Sequence, residues 1–301
     1  MSGVKTMLFI YNPHAGSGKA RAALAGILDR LSEGGWLVTA RPTFGPGEAT
    51  ELAARLGGGF DRVVCCGGDG TLNEVVAGLL TLPLPPALGY IPTGTTNDFS
   101  RNLALPKGLE DAASVAAAGY PKPCDMGRFN ERAFVYIAAF GAFTEVSYDT
   151  PQQFKSLFGH LAYVLQGVSR ITSLKTYVLR IEHDGGTVEG EFIYGMVSNT
   201  VSVGGFRTLP SEHVLLDDGL FEVVLVRAPR NLQELGNIVR ALTKQSLEEG
   251  EGTILTFHTS RVKVTCAKPL PWTLDGEYGG APTVAEIENR CRALSIIHGR
   301  A

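Results

Sequence analysis

The 301-residue chain is short of almost everything that would fasten it permanently to a membrane, a nucleic acid or a disulfide scaffold. No uninterrupted apolar run reaches the ~18 residues of a membrane-crossing helix. Residues Met1 to Met7 lack the charged-then-apolar pattern of a secretory leader. The five cysteines are odd in number, and no two have Cys-x-x-Cys spacing. Cys65 and Cys66 sit side by side in an apolar run and read as small buried residues. A reducing, cytoplasmic compartment is therefore expected. There is no basic excess: Lys and Arg number 27 against 30 Asp and Glu, for a net charge of −3. That balance disfavours a protein that coats nucleic acid by charge, and likewise a permanently basic membrane face, though not a local patch. The six histidines are scattered without ligand spacing. The G-x-G-x-x-G fingerprint of dinucleotide enzymes is missing. So is the Walker A loop, which needs Gly six residues before its Lys and Ser or Thr after it, where this chain has Pro13 and Ala20 around Lys19. A protein kinase is excluded too, since there is no His-Arg-Asp or Asp-Phe-Gly loop.

What is present is an ordinary core-forming composition, 44% hydrophobic and 19% charged, at a length that suggests two domains. Over residues 1–122, short apolar runs alternate with helix-like stretches. Met7–Tyr11, Trp36–Ala40, Arg62–Cys66 and Ala87–Ile91 read as strands. Ala20–Leu31, Glu48–Leu56 and Leu72–Leu80 read as helices. This alternation predicts an α/β domain with a parallel sheet, whose ligand loops follow the C-terminal strand ends. The character changes near Pro121–Pro123. Residues 123–301 carry strand-like runs at Ala133–Ala139, Thr176–His183, Glu191–Ser198, Leu220–Val226, Arg261–Cys266 and Ala293–Ile297. They predict a mainly antiparallel β-sandwich, with the extreme C-terminus free to return to the first domain. Two helices interrupt it, one over Phe154–Val168 by its apolar spacing and one around Leu232–Lys244.

The strongest motif is Gly67-Gly68-Asp69-Gly70-Thr71, between a buried strand and a helix. Glycines let the backbone approach a polyanion, and the N–H groups of a helix start then face it at the positive end of the dipole. A bare Asp69 would repel phosphate, so its presence implies an intervening cation such as Mg²⁺. The plainer reading is a tight turn capped by Asp; three glycines around one Asp weigh against it. Pro92-Thr93-Gly94-Thr95-Thr96-Asn97-Asp98 also follows a strand. Its hydroxyls and amides suit phosphate or ribose oxygens, and Asp98 suits a substrate hydroxyl, while a polar helix cap fits equally well. Asn12 to Lys19 is a loop that could border a nucleotide. In Leu274-Asp275-Gly276-Glu277, an extended chain would set both acids on one face about 6.6–6.8 Å apart. By spacing alone, an Asp-Gly hairpin turn is the better reading. Leu215-Leu216-Asp217-Asp218-Gly219-Leu220 reads as a turn that could gather carbonyls and a carboxylate around a hard cation.

Together these residues resemble the soluble diacylglycerol kinase and lipid kinase family, which includes relatives of sphingosine kinase. The matches are Asn12-Pro13 with Gly16, Gly67 to Thr71 followed by Asn73-Glu74, Pro92 through Arg101, Asp218-Gly219-Leu220 and Asp275-Gly276-Glu277. They run through nearly the whole chain in the family's order. The resemblance implies an N-terminal α/β domain similar to that of NAD kinase and phosphofructokinase, a C-terminal β-sandwich, and ATP as the phosphoryl donor. It implies ATP contacts from Asn12, Thr43, Gly67, Gly68, Asp69, Gly70, Thr71, Leu72, Asn73 and Thr95, with Asn97 and Asp98 in the same loop. It also implies Mg²⁺ positioned by Asp69, and Glu277 as the base on the acceptor hydroxyl with Asp275 in support. A second cation would sit on Asp218 with the carbonyls of Leu215 and Leu220. Lys155, Gly159 and Tyr163 match a helix of the family without an assigned role.

The expected partner is a lipid with a free hydroxyl, diacylglycerol by family frequency, met at a membrane surface during turnover. Phe154, Phe158 and Leu165 are placed beside an acyl entry route as a working guess. Two rivals stand: a kinase of NAD or another small molecule, and a nucleotide-binding regulator without catalysis. The Pro92–Arg101 segment disfavours the first, and Asp69, Asp275 and Glu277 together disfavour the second. The acceptor itself and the oligomeric state, a homodimer among the options, are not legible.

Overall fold

Four apolar runs of six or seven residues, each followed by a glycine- or polar-rich loop, build the first half of the chain. In the computed structural model, which describes residues 4–94, 97–141, 162, 165, 174–200, 202–203, 206–207, 215–244 and 252–299, they form parallel strands β1 (Lys5–Tyr11), β2 (Trp36–Pro42), β3 (Arg62–Gly67) and β4 (Ala87–Pro92). Their order is β4-β3-β1-β2, and every pair is parallel. Strands β1, β3 and β4 are buried on both faces, which is why they read as continuous apolar runs rather than as alternations, while β2 at the sheet's edge buries only Trp36. Phe9, Val64, Cys66 and Ile91 pack against Ile27 and Leu31 of helix α2 (Leu24–Glu33) and against the alanines of α5 (Leu109–Ala118). Helices α3 (Glu48–Leu56) and α4 (Asp69–Leu79) pack on each other. The carbonyls that end α5 are satisfied from the sheet. Ala117 O accepts from Trp36 Nε1 at 2.9 Å and from Arg62 Nη1 at 2.8 Å, and Ala116 O accepts from Arg62 Nη1 at 2.7 Å.

The helix expected over Ala20–Leu31 is two helices, α1 (Ala15–Ala22) and α2, broken at Ala23. Gly16, Ser17 and Gly18 of α1 hold positive φ, so its start is a loop in backbone terms. The prolines 121–123, read as the point where the domains change, are the exposed beginning of a ten-residue strand, β5 (Tyr120–Phe129). Proline is tolerated there because a strand's first, solvent-facing positions need no ladder donor.

The chain divides into two units, residues 1–126 with 291–301 and residues 127–290. The second is antiparallel throughout. It contains β6 (Arg132–Phe134), β7 (Ile137–Gly141), β8 (Tyr177–His183), β9 (Gly186–Ser198), the short pair β10 (Ser202–Val203) and β11 (Phe206–Arg207), and β12 (Phe221–Arg227). Helix α6 (Leu232–Lys244) follows, then β13 (Ile254–Thr259), β14 (Arg261–Cys266), β15 (Trp272–Leu274), β16 (Glu277–Gly280) and the 15-residue β17 (Val284–His298). Strand β9 pairs with β8 through its first half and with β7 and β12 through its second. It thereby serves three ladders and ties the strands of the sandwich together. The core holds a tilted aromatic group in which Trp272 lies 5.1 Å from Phe129 and 5.0 Å from Phe140 between ring centres. Strand β17 pairs with β14 through Val284–Glu288 and with β4 through Ile296, so its last residues belong to the first unit. The expectation of a helix over Phe154–Val168 lies outside the described residues except at Ala162 and Leu165, which are helical and buried. Lys155, Gly159 and Tyr163 also lie outside them.

Candidate active site

The C-terminal strand ends of the first unit are tied level by main-chain hydrogen bonds. Thr43 N donates to Tyr11 O at 3.0 Å, Asn12 N to Cys66 O at 2.9 Å, and Thr93 N to Gly67 O at 2.9 Å. Thr43, Asn12 and Thr93, which follow β2, β1 and β4, thus lie in one row with Gly67, the last residue of β3, where an open parallel sheet places its ligand loops. The sequence pairs none of these loops with another; hydrogen bonds between distant strands do.

The loops touch. Gly16, at φ 61°, lies so near Thr93 that a Cβ would strike the Thr93 carbonyl, and a Cβ on Gly94 would meet Gly68 Cα at 2.7 Å. Only glycine fits at both positions, and the loops pack backbone to backbone into a half-exposed bed. Helix α4 begins in that bed. Its first helical bond runs from Leu72 N to Gly68 O at 3.0 Å, so the amides of Gly70 and Thr71 ahead of it have no partner within the helix and form the positive end of its dipole. Asp69 is the first residue of α4 and half-buried. Its hard carboxylate oxygens are the right donors for Mg²⁺.

The loop after β4 is held by Asn97. Its Oδ1 accepts from Gly94 N and its Nδ2 donates to Gly94 O, both at 2.8 Å, with Asn97 itself left-handed at φ 48°. The buried Tyr90 hydroxyl lies 3.3 Å from Gly67 O and 3.4 Å from Asn97 Oδ1, beneath both loops. Asn97 is therefore the frame of this loop. Asp98 starts a short 3₁₀ turn through Arg101, and its side chain lies outside the described residues, as Thr95 does altogether. Asn12 Oδ1 accepts from His14 N at 2.9 Å. Leu72 is buried in the helix, and Asn73 is half-buried beside it. Glu74, the next residue, reaches to α3: it accepts from Gly47 N at 2.8 Å and Ala49 N at 3.2 Å. A carboxylate at that helix start is favoured by the dipole. Burial pushes the Cys66 thiol up to about 12 and raises that of Cys65. Neither supplies a thiolate nucleophile.

In the second unit, Asp275 and Gly276 have φ of 49° and 88° and join β15 to β16, with Leu274 paired to Glu277. This is the two-residue Asp-Gly hairpin; the extended arrangement with both acids on one face does not occur. Asp275 turns inward, 5% exposed. Its Oδ2 accepts from Val135 N at 2.6 Å, and its Oδ1 from Tyr136 N at 2.9 Å and Ile137 N at 3.0 Å. Both Asp275 oxygens are thus taken up by backbone, and Glu277 is exposed at the hairpin's far side. Ser198, Asn199, Thr200 and Glu222 are buried at the same end of this sheet, where Asn199 N donates to Tyr136 O at 2.9 Å. They lie outside every sequence motif above, although a Ser-Asn-Thr run closing an apolar strand is a signal of buried polar groups.

The 215–220 turn is an Asx turn: Asp218 Oδ1 accepts from Leu220 N at 3.0 Å, and Leu215 is exposed. It leads into β12, three strand spacings from β15 by way of β9 and β7, which is about 14 Å. No group of three or more His, Cys, Asp or Glu side chains suited to a metal occurs among the described residues.

Comparison with known proteins agrees with the two-unit architecture. The family model described as the diacylglycerol kinase catalytic domain matches residues 6–129, and the one described as the YegS C-terminal NAD kinase beta sandwich-like domain matches residues 139–298. A diacylglycerol kinase of Bacillus subtilis (strain 168) is 36% identical over 296 residues, covering 98% of this chain and 96% of that one. One from Staphylococcus aureus (strain bovine RF122 / ET3-1) is 36% identical over 277 residues, covering 92% and 87%. A solved structure of a candidate diacylglycerol kinase from Bacillus anthracis str. Sterne superposes with a TM-score of 0.83 at 26% identity, covering 98% of both chains. With a parallel α/β unit, an antiparallel β-sandwich and near full-length likeness to these kinases, the chain belongs to the diacylglycerol kinase family and is a kinase.

Proposed function

We propose that the protein transfers the γ-phosphoryl group of ATP to the free hydroxyl of diacylglycerol, making phosphatidic acid. The observation that carries this reading is the levelled row of loops in the first unit, with Gly16, Gly68 and Gly94 baring the backbone around the start of α4. That bed suits a string of phosphates better than any apolar ligand. Mg²⁺, held through Asp69, would neutralise charge on the β- and γ-phosphates. The transition state of phosphoryl transfer is loose, so positioning and charge neutralisation do most of the work. The Gly70 and Thr71 amides hold the phosphates, and Asn97 keeps the facing loop in register with them. Glu277 accepts the proton of the acceptor hydroxyl as attack develops. Asp275, by gripping residues 135–137, orients the hairpin that carries it.

A lipid acceptor agrees with the family. Among the described residues no helix is long and apolar enough to cross a membrane, so the protein would meet its lipid at the bilayer surface. The test is phosphate transfer from Mg-ATP to a lipid panel in mixed micelles. Diacylglycerol is expected to be phosphorylated, and Glu277→Ala is expected to lower kcat at least ~10²-fold in a folded protein. Transfer to another lipid alone would change the acceptor. Near-normal turnover by the variant would remove Glu277 from the role of base.

A further inference from the structure

Phe44 is out of keeping with its surroundings. It follows the buried Thr43, yet it is 77% exposed, and a large apolar ring left in water at a ligand edge is an unspent contact surface. It is nonetheless held in place. Phe44 N donates to Glu48 Oε2 at 2.7 Å, and Gly47, left-handed at φ 83°, donates its N–H to Glu74 Oε1 at 2.8 Å. Glu74 belongs to α4, the helix whose first turn faces the glycine bed. One rigid helix thus fixes both the bed and the loop that carries the ring.

The spacing is also telling. Thr43 is level with Asn12, and Asn12 with Gly67, through the bonds between β2, β1 and β3. Phe44 therefore stands two strand spacings from the start of α4, about 9–10 Å along the row. That is the reach from the phosphates of an extended nucleoside triphosphate to its base. Resting on the reading that ATP phosphates occupy the bed, we propose that Phe44 is the stacking platform for the nucleotide base. Every base has a π-face, so such a platform confers affinity for a nucleoside without hydrogen-bond selectivity.

The test compares wild type, Phe44→Ala and Phe44→Trp in three measurements: binding of Mg-ADP by calorimetry, KM and kcat for ATP, and inhibition by inorganic tripolyphosphate, which has no base. Phe44→Ala should weaken ADP binding and raise KM for ATP about 5- to 100-fold, with the change in KM rather than kcat. Tripolyphosphate inhibition should not move, and Phe44→Trp should restore ADP affinity. Equal ADP binding by wild type and Phe44→Ala would overturn the platform while leaving the nucleotide site intact. A change confined to the KM for lipid micelles would overturn it as well, as a membrane contact. No ADP binding by the wild type would instead defeat the nucleotide reading itself.

Discussion

Asp275 shows how much one buried side chain can organise. Three main-chain N–H groups converge on its two oxygens, and Asp275 N donates in return to Ile137 O at 2.9 Å. An amide in place of the carboxylate keeps the shape but turns one acceptor into a donor aimed at other donors. Asp275→Asn should therefore cost about 1–3 kcal/mol of stability, read as a lower midpoint in urea, and should lower kcat while leaving Mg-ADP affinity in the first unit unchanged. Unaltered kcat in that variant would mean that the hairpin's orientation does not matter to Glu277. The residue was visible in the sequence, but its direction was not. The motif predicts a hairpin, and only the pairing of β15 with β7 determines which of the two acids turns inward.

At the scale of elements, two turns at one edge of the second unit are clasped by Asp184. It stands in the turn between β8 and β9, and accepts from Ser260 N and Oγ, both at 2.7 Å, in the turn between β13 and β14. Thr259 and Arg261 add bonds at 3.0 Å. The Ser260 hydroxyl above all, then its N–H, draw the Asp184 carboxyl down to about 2. A carboxyl lowered by folding stabilises the native state above its unfolded value near 4, and that contribution fades as pH falls toward 2. With the side chain 38% exposed, solvent screening leaves ~1 kcal/mol. Asp184→Asn should accordingly lower Tm by about 2–4 °C at pH 7, and the gap to wild type should close between pH 4 and pH 2 in scanning fluorimetry. A gap independent of pH would remove charge as the cause. The same clasp illustrates what a sequence conceals. Strands such as Arg62–Cys66 and Ala87–Ile91 were plain because their apolar runs and glycine loops are local signals. Asp184 with Ser260, Glu74 with Gly47, and the shared row of Thr43, Asn12, Gly67 and Thr93 are contacts between segments far apart in the chain, and no local pattern encodes them. Helix α5 went unread for a different reason: its buried face is all alanine, which gives hydrophobic periodicity little contrast.

At the scale of the molecule, strand β17 divides its residues between the units. Arg292, at φ 53°, marks the passage, its N–H donating to the buried Asp125 Oδ1 at 2.7 Å. Beyond it Leu294, Ile296 and Ile297 are buried in the first unit. At about 1.5–3 kcal/mol for each such side chain, their loss approaches the whole stability of a domain. A chain ending at Arg290 should leave residues 1–126 open to protease and unable to bind Mg-ADP; retention of the wild-type Tm and ADP affinity would mean that the first unit stands without them. The placement of this strand also sets an order on biosynthesis. The first unit cannot close until residues 291–298, made after the whole of the second unit, have emerged from the ribosome. At ~5–20 residues per second, the interval between the two is on the order of ten seconds, during which the sandwich can fold first. A half-made chain therefore has an unfinished first unit, which cannot close before the whole of the second has been made.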